Sequence, residues 1–172
     1  MTSQSAGDIR LLILDVDGVL TNGGLQFDAR GEEYKTFNSL DGHGIRMLLD
    51  NAIEVAIITG RESNIVSQRA RELGIRHLYQ GCRDKMSAFR DLLNDTGIDA
   101  RQAAYVGDDL PDLPVMRQVG LAIAVQNAHD FIKQHCNWVT TQQGGQGAVR
   151  EVTDYILQQR GLLEAAQNRY LA

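Results

Sequence analysis

Aspartates cluster at two points of the chain, each directly after a run of apolar residues. Asp15 and Asp17 follow the apolar run 9–14, and three aspartates fall within five residues in Gly-Asp-Asp-Leu-Pro-Asp at 107–112. Carboxylates at the ends of buried strands are costly unless a cation or a proton compensates them. Because every ligand on offer is an oxygen, the pattern favours a hard divalent ion, Mg²⁺ before Zn²⁺.

A hydroxyl and a lysine stand at two further positions between these acidic motifs. Thr59 and Gly60 follow the apolar run 55–58, where a hydroxyl and free backbone N–H groups can hold an anion. Capping of the next helix is the alternative role for the threonine. Lys85, one of only three lysines in the chain, opens a predicted helix. A surface role is the default, but beside carboxylate-rich strand ends this lysine is a candidate active-site cation.

Short apolar runs alternate with helical patterns along the chain. The apolar runs fall at 9–14, 55–58, 77–79, 103–106, 121–125 and 138–139, and the helical patterns at 43–51, 63–73, 85–96, 112–119, 128–134 and 147–159. Strands separated by helices indicate βαβ units and a parallel sheet. We therefore expect an α/β fold: a doubly wound, mainly parallel sheet with helices on both faces. The residues with chemistry would lie at the carboxyl ends of its strands.

One segment breaks the alternation. In residues 22–38, apolar and polar residues alternate on either side of the turn sequence 28–31, which predicts an inserted β-hairpin. No linker or repeat is evident, so we expect residues 1–172 to form a single domain. The tail 161–172 is apolar for a chain end, and we expect it either to be loose or to dock on another surface.

Composition excludes several classes of protein. With 43% hydrophobic and 23% charged residues, the chain is globular rather than disordered. Its formal net charge of −5 argues against general binding of nucleic acid. Cys82 and Cys136 fit no metal-binding spacing, and they indicate reduced thiols in a cytoplasmic protein. The polar N-terminus does not look like a signal peptide, and no apolar run is long enough to span a membrane.

Taken together, Asp-x-Asp, Thr, Lys and Gly-Asp-Asp-x-x-Asp, in this order, resemble the four motifs of the haloacid dehalogenase superfamily of phosphotransferases. The resemblance implies that Asp15 is a nucleophile that forms an aspartyl-phosphate. It also implies that Asp17 is the general acid and then the general base. Burial and neighbouring carboxylates would keep a proton on Asp17. Mg²⁺ would be held by Asp15, by the backbone carbonyl of Asp17 and by Asp108.

The same resemblance implies roles for the groups around the phosphate. Thr59 and the N–H of Gly60 would hold phosphate oxygens. Lys85 would balance the charge on the nucleophile and the phosphoryl group. Asp109 and Asp112 would orient metal-bound waters or the lysine.

Across nearly its whole length the chain is also similar to a narrower family. The segments 35–45, 56–61, 105–116 and 144–151 resemble the 3-deoxy-D-manno-octulosonate 8-phosphate (Kdo-8-phosphate) phosphatases. This resemblance implies a cytoplasmic, Mg²⁺-dependent homotetramer that makes free Kdo for the lipopolysaccharide of Gram-negative bacteria. The gaps between the motifs leave no room for a cap domain. The family's hairpins meet at the tetramer centre, and its tail reaches a neighbour's active site.

Arginine is the residue best suited to the carboxylate of a sugar acid. Arg61 stands beside the phosphate motif, and Arg69 lies eight residues further on, about 80° around the same predicted helix. One arrangement sends Arg61 to its own site and Arg69 across an interface into the neighbour's site. Solvation of the helix surface is the alternative for Arg69.

Three other interpretations stay open. A nonulosonate 9-phosphate phosphatase would share all four motifs, although such relatives typically carry Glu where this chain has Arg61. A non-catalytic assembly domain is expected to lack Asp15, Asp17 or Lys85, and all three are present. A phosphatase for proteins or nucleic acids is disfavoured by the acidic charge balance, and by the hairpin and tail if these close the site.

Overall fold

The computed structural model describes residues 6–171 and is built around strands joined mostly by helices. The strands are β1 (Leu11–Leu14), β2 (Gln26–Phe27), β3 (Glu33–Tyr34), β4 (Glu54–Ile58), β5 (His77–Tyr79), β6 (Ala103–Gly107), β7 (Leu121–Ala124) and β8 (Trp138–Val139). Six of them form one sheet in the order β5-β4-β1-β6-β7-β8, and every pairing in it is parallel. The predicted α/β class is confirmed.

A helix is present at each of the six predicted places, but the fourth and fifth are only four residues long, against predictions of 112–119 and 128–134, and a seventh helix in the tail was not predicted. The helices are α1 (Ser39–Asp50), α2 (Asn64–Leu73), α3 (Lys85–Thr96), α4 (Leu113–Met116), α5 (Asp130–Lys133), α6 (Ala148–Gln159) and α7 (Leu163–Asn168). Within residues 6–171, none of the helices is long and apolar enough to cross a bilayer. The N-terminal residues 1–5, predicted not to be a signal peptide, and Ala172 lie outside the described part.

Helix α1 begins at residue 39, four residues before the predicted start, because its first turn is well capped. The side chain of Asn38 accepts hydrogen bonds from the N–H groups of Leu40, at 2.8 Å, and Asp41, at 3.4 Å. Glycine disfavours helix, yet Gly42 and Gly44 both lie within α1. A Cβ at Gly44 would lie 2.1 Å from a side-chain atom of α6, so the glycine allows α1 and α6 to pack closely.

The order of the strands explains why the chemistry lies where it does. From β1 the chain crosses to β4 and β5 on one side, and it then returns to β6, β7 and β8 on the other. Because parallel crossovers share one hand, this reversal places helices on opposite faces of the sheet. Helix α1 packs against α6, and α3 against α4. The carboxyl ends of β1 and β6 therefore flank the point where ligands bind in open α/β sheets.

The predicted hairpin is present as β2 and β3, which pair in antiparallel fashion. The side chain of Asp28 closes its turn by accepting hydrogen bonds from the N–H groups of Arg30 and Glu32, at 2.8 and 3.0 Å. Leu25, Phe27 and Tyr34 are each more than half exposed. Phe27 is paired with Glu33 and Tyr34 with Gln26, so the hairpin exposes large apolar residues on both of its faces.

Most of the tail is ordered on its own chain. Helix α7 packs against α6 and buries Ala166. The ring of Tyr170 meets the ring of His43 edge to face, with 5.5 Å between centroids. Of the two expectations for this segment, docking on a surface fits helix α7, whereas Tyr170 and Leu171 are 68% and 83% exposed.

A glycine-rich loop supports the segment that follows β1. The N–H of Gly145 donates to the carbonyl of Val19 at 2.9 Å, and a Cβ on Gly144 would lie 1.7 Å from the carbonyl oxygen of Gly18. The two loops can touch in this way only if residue 144 has no side chain.

We expect Gly144→Ala to lower the free energy of unfolding by about 1–3 kcal/mol, because its methyl group displaces backbone atoms. Thermal and urea unfolding measure the change. Gly60→Ala is the control, since its methyl group would meet nothing nearer than the Cys82 carbonyl at 3.8 Å. Equal stability of Gly144→Ala and the wild type would contradict this packing.

Candidate active site

The loop after β1 is folded tightly by its own polar groups. Thr21 Oγ1 accepts hydrogen bonds from the N–H groups of Gly18 and Gly23, at 3.3 and 3.2 Å. Gly18 has a left-handed backbone with φ of 93°, and a Cβ there would lie 2.1 Å from Asp108 Oδ2. Glycine is therefore required at residue 18, both for the turn and for the approach of the second acidic loop.

A cleft of about 200 Å³ opens at the carboxyl edge of the sheet. Nine of the ten residues proposed for the site line the cleft: Asp15, Asp17, Thr59, Gly60, Arg61, Lys85, Asp108, Asp109 and Asp112. Pro111 completes the lining. The tenth, Arg69, is absent from the lining. The strand ends thus bring all four predicted motifs together.

A buried lysine joins the two acidic loops. Lys85 Nζ lies 2.9 Å from Asp15 Oδ1 and 2.7 Å from Asp112 Oδ1. The hydroxyl of Tyr105, on β6 beneath the site, donates to the same Asp112 oxygen at 2.7 Å. All four residues are buried. The lysine is therefore fixed by carboxylates on both sides, as expected for the cation that was predicted to balance the charge on Asp15.

Asp112 shapes the loop after β6 with its second oxygen. Its Oδ2 accepts hydrogen bonds from the N–H groups of Asp108, at 2.9 Å, and Asp109, at 3.2 Å. Asp109 in turn caps the short 3-10 helix Leu110–Asp112 by accepting from the Leu110 N–H. Both oxygens of Asp112 are thus engaged by the protein, which suits the predicted role of orienting Lys85.

The carboxylates of the cleft fit a hard cation. Asp15, Asp108 and Asp112 each offer an oxygen, and these atoms lie within 4.8 Å of one another. Since Asp112 is saturated by donors, Asp15 and Asp108 are the carboxylates with capacity left for a metal. An all-oxygen set of this kind selects Mg²⁺ or a similar ion.

Protonation reflects this crowding. Burial, followed by repulsion from Asp112, raises the pKa of Asp15 to about 6 against the attraction of Lys85. Burial, followed by repulsion from Asp15 and Asp112, raises the pKa of Asp108 to about 7. For Lys85, burial lowers the pKa, but attraction by Asp15 and Asp112 outweighs it and leaves the pKa above its usual value. Without a bound cation the two aspartates therefore hold protons more tightly than usual.

The surroundings of Asp17 differ from those predicted. We expected carboxylates beside it, but its nearest charged neighbours are cations. Lys35 Nζ donates to Asp17 Oδ1 at 2.5 Å, and Arg61 Nε lies 3.7 Å from Oδ2. That expectation is wrong because the hairpin, whose position the sequence does not reveal, places Lys35 over the first motif.

The two arginines lie in different places. Arg61 lines the cleft, donates to Glu33 Oε1 at 2.7 Å and lies over the ring of Phe27. Arg69 pairs with Glu72 on the same helix at 3.4 Å and lies over the ring of Phe37. Within one chain, the two guanidinium groups therefore do not face the same site.

Sequence reasoning missed three residues at the site. Tyr105 reads as an ordinary core residue of a buried strand, and no local signal distinguishes it. Glu33 and Lys35 lie two residues apart in an extended segment and so share a face, opposite the exposed Tyr34. This alternation, together with the scarcity of lysine, is the signal that could have found Lys35.

Comparison with known proteins gives concordant matches. The haloacid dehalogenase-like hydrolase family profile matches residues 77–152. The 3-deoxy-D-manno-octulosonate 8-phosphate phosphatase KdsC of Escherichia coli K12 is 52% identical over 164 residues, covering 95% of this chain and 87% of that protein.

Solved structures agree. A phosphatase of the same description from Yersinia pestis superposes with a TM-score of 0.92 at 51% identity, covering 92% of this chain and 86% of that one. One from Moraxella catarrhalis, solved in complex with a magnesium ion, a phosphate ion and a KDO molecule, gives a TM-score of 0.95 at 41% identity. It covers 98% of this chain and 97% of its own.

The sequence identity to these phosphatases extends over nearly the full length of both chains, and it agrees with the cleft and its four motifs. The predicted enzyme class, a phosphatase, is confirmed at the level of the family. The chain belongs to the 3-deoxy-D-manno-octulosonate 8-phosphate phosphatases of the haloacid dehalogenase-like hydrolases.

Proposed function

We propose that this chain hydrolyses Kdo-8-phosphate to Kdo and inorganic phosphate through an aspartyl-phosphate on Asp15. The observation that carries the proposal is the placement of Asp15 in the cleft, 2.9 Å from the buried Lys85 and facing a second acidic loop. A nucleophilic carboxylate needs a cation such as Lys85 beside it because the phosphate monoester it attacks is itself a dianion.

Asp15, Asp108 and the backbone carbonyl of Asp17 would hold Mg²⁺, the ion found in the Moraxella catarrhalis relative. Bound there, Mg²⁺ would offset the repulsion between the Asp15 carboxylate and the substrate phosphate. The raised pKa values of Asp15 and Asp108 support this assignment, since they reflect burial first and then repulsion between carboxylates that the protein leaves partly uncompensated.

The first chemical step forms one bond and breaks another. An oxygen of Asp15 attacks phosphorus while the bond from phosphorus to the sugar oxygen breaks, and Asp17 gives a proton to that departing oxygen. Thr59 and the N–H of Gly60, at the end of β4, hold the phosphoryl oxygens during the transfer. Lys85 stays on Asp15 and limits the charge that develops there.

The second step returns the enzyme to its starting state. Asp17, now a carboxylate, takes a proton from a water molecule, and the resulting hydroxide attacks the phosphorus of the aspartyl-phosphate. The bond between phosphorus and the Asp15 oxygen breaks, which releases inorganic phosphate and restores both carboxyl groups to their original roles.

The rest of the chain fits a site completed by other subunits. Arg61 lines the cleft, where it can meet the carboxylate of a sugar acid. The exposed apolar residues of the hairpin, Leu25, Phe27 and Tyr34, support assembly of the chain into a homotetramer. Arg69, which is outside its own cleft, would then act in a neighbour's.

We further propose that the chain works as one domain, in the cytoplasm, in the synthesis of lipopolysaccharide. Both cysteines are free, in keeping with a reducing compartment. The pathway follows from the product, since Kdo is the sugar acid that lipopolysaccharide requires.

The experiment that tests the proposal is phosphate release from a panel of substrates, with Mg²⁺ and with EDTA. The panel holds Kdo-8-phosphate, a nonulosonate 9-phosphate, arabinose 5-phosphate, glucose 6-phosphate and p-nitrophenyl phosphate. We expect strong preference for Kdo-8-phosphate and none of the activity in EDTA. Preference for the nonulosonate would reject the assigned substrate, and inactivity on every substrate would favour a non-catalytic domain.

We expect Asp15→Asn to abolish turnover, with a loss of at least about a thousandfold in kcat, because the amide cannot form the acyl-phosphate. The fold should be retained, since the amide is of the same size and the buried charge is removed. Phosphate release and thermal unfolding measure the two effects. Asp130→Asn, at a fully exposed carboxylate, is the control. Substantial turnover by Asp15→Asn would exclude the covalent mechanism.

We expect Mg²⁺ to raise the Tm more at about pH 8 than at about pH 5.5. In the folded apo-protein the pKa of Asp108 is about 7, against 3.8 for the unfolded group, so stability falls as pH rises between these values. A metal ion replaces the protons and reverses this loss.

Thermal unfolding across pH, with Mg²⁺ and with EDTA, measures the linkage. In Asp108→Asn the fall in apo-protein stability between pH 4 and 7 should shrink, and the response to Mg²⁺ should largely disappear. An equal Mg²⁺ response at both pH values in the wild type would contradict the assignment of Asp108 as a ligand.

We expect Arg69→Ala to raise the KM for Kdo-8-phosphate about tenfold or more with little change in kcat, because a charged hydrogen bond to substrate is lost. Arg71→Ala, on the same helix, is the matched control. Gel filtration should give a mass near four times the 19.0 kDa of the chain. An unchanged KM, or elution as a monomer, would refute the role in a neighbouring site.

A further inference from the structure

A buried lysine from the hairpin contacts the carboxylate that we propose as the acid and base. Only 2% of the Lys35 side chain is exposed, and its ammonium lies 2.5 Å from Asp17 Oδ1 and 3.3 Å from Glu33 Oε1. Asp17 itself is largely buried on this side but lines the cleft. The contact therefore joins the hairpin directly to the reacting edge of the site.

Glu33 holds the lysine in one place. Its Oε1 also accepts from Arg61 at 2.7 Å, and its Oε2 accepts from the hydroxyl of Ser63 at 2.7 Å. Ser63 precedes α2 but makes no side-chain capping bond to that helix. Its hydroxyl instead ties the hairpin to the start of α2, in the segment that follows β4. The hairpin and the edge of the main sheet are thus connected by a short chain of charged hydrogen bonds.

Burial of an ammonium group is expensive, and the packing of the hairpin does not require it. Taking a lysine out of water costs several kcal/mol unless carboxylates repay it, and ordering its long side chain costs further entropy. An apolar residue could fill the same space without either cost. The partners of Lys35 among the described residues are Asp17 and Glu33, so what the lysine achieves is the placement of these two carboxylates.

We propose that Lys35 is the positioning residue for Asp17: its ammonium holds Oδ1 and so fixes the carboxyl group in the orientation that meets the leaving-group oxygen. Glu33 acts through Lys35 as a brace. This inference rests on the proposed role of Asp17 as general acid. It assigns a step of the reaction to the hairpin, in addition to the apolar residues that the hairpin exposes.

The two kinds of leaving group separate positioning of the acid from general damage. A sugar alkoxide needs a proton from Asp17 as it departs, whereas p-nitrophenolate is a stable anion and departs without one. The ratio kcat/KM reports the steps up to formation of the aspartyl-phosphate, so the later use of Asp17 as a base does not enter. A general acid contributes about 10²–10⁴ in rate, which sets the scale of the effect.

We therefore expect Lys35→Met to lower kcat/KM for Kdo-8-phosphate at least about thirtyfold and that for p-nitrophenyl phosphate less than about threefold. Lys35→Arg should recover part of the loss, because a guanidinium can still donate to Oδ1. Glu33→Gln should show the same selectivity with a smaller loss. Lys133→Met, at a lysine paired with Asp130 on α5, is the control and should match the wild type on both substrates.

Equal losses on the two substrates would overturn the inference, since they would indicate damage to the site as a whole. Unchanged activity on both would overturn it as well. If Lys35→Met does not fold, the losses in kcat/KM on the two substrates are compared for Lys35→Arg and Glu33→Gln instead. Equal losses on both substrates in both variants would contradict the proposal. A wild-type enzyme that hydrolyses arabinose 5-phosphate but not Kdo-8-phosphate refutes the proposed substrate only, and the ratio is then taken with the pentose phosphate.

Discussion

Mutual repulsion among buried carboxylates is the constraint on which this structure depends. The adjacent parallel strands β1 and β6 bring Asp15 and Asp108 together in a partly dry cleft. Burial, and after it the repulsion from neighbouring carboxylates, raises the pKa of both groups. A single cation, Lys85, lies between Asp15 and Asp112 and compensates part of this charge. The negative charge that Lys85 does not compensate makes the cleft suited to a divalent metal and, with the metal, to a phosphoryl group.

The neighbouring loops are shaped by the need to bring these charges close. Gly18 has no side chain that would push away Asp108, and Gly144 has none that would push away Gly18. Asp112 takes hydrogen bonds from two consecutive backbone N–H groups with one oxygen and holds Lys85 with the other. The loops therefore approach each other closely because Gly18 and Gly144 have no side chains, and because hydrogen bonds to the protein satisfy both oxygens of Asp112.

The sequence predicts the sheet and the cleft well, because both follow from local patterns. Apolar runs mark buried strands, and the topology of a parallel sheet brings the residues that follow them, such as Asp15, Thr59 and Asp108, to one edge. Lys85 was found because it opens a helix at that edge. These positions need no knowledge of long-range packing beyond the order of the strands.

What the sequence could not supply depends on where the hairpin lies. Its strands and its turn are evident from alternation, but nothing local states that it folds back over the first motif. For that reason Asp17 was expected among carboxylates and is instead bonded to Lys35. Similarly, the close packing of α1 on α6 depends on the absence of a side chain at Gly44, which only the tertiary structure explains.

The hairpin separates two surfaces by a single residue. Glu33 and Lys35 point toward Asp17, on the face that Glu33 shares with its cross-strand partner Phe27, while Tyr34 between them points to the opposite face with its partner Gln26. A strand reverses its faces at every residue, so a shift of register by one would turn the tyrosine toward the cleft and the lysine toward solvent. The length of the turn at residues 28–31 is thus constrained, because it sets the register that places the right residues on each face of the hairpin. Most surface turns accept insertions. In this turn, an insertion that shifted the register by one residue would remove Lys35 from the cleft and turn Tyr34 toward it.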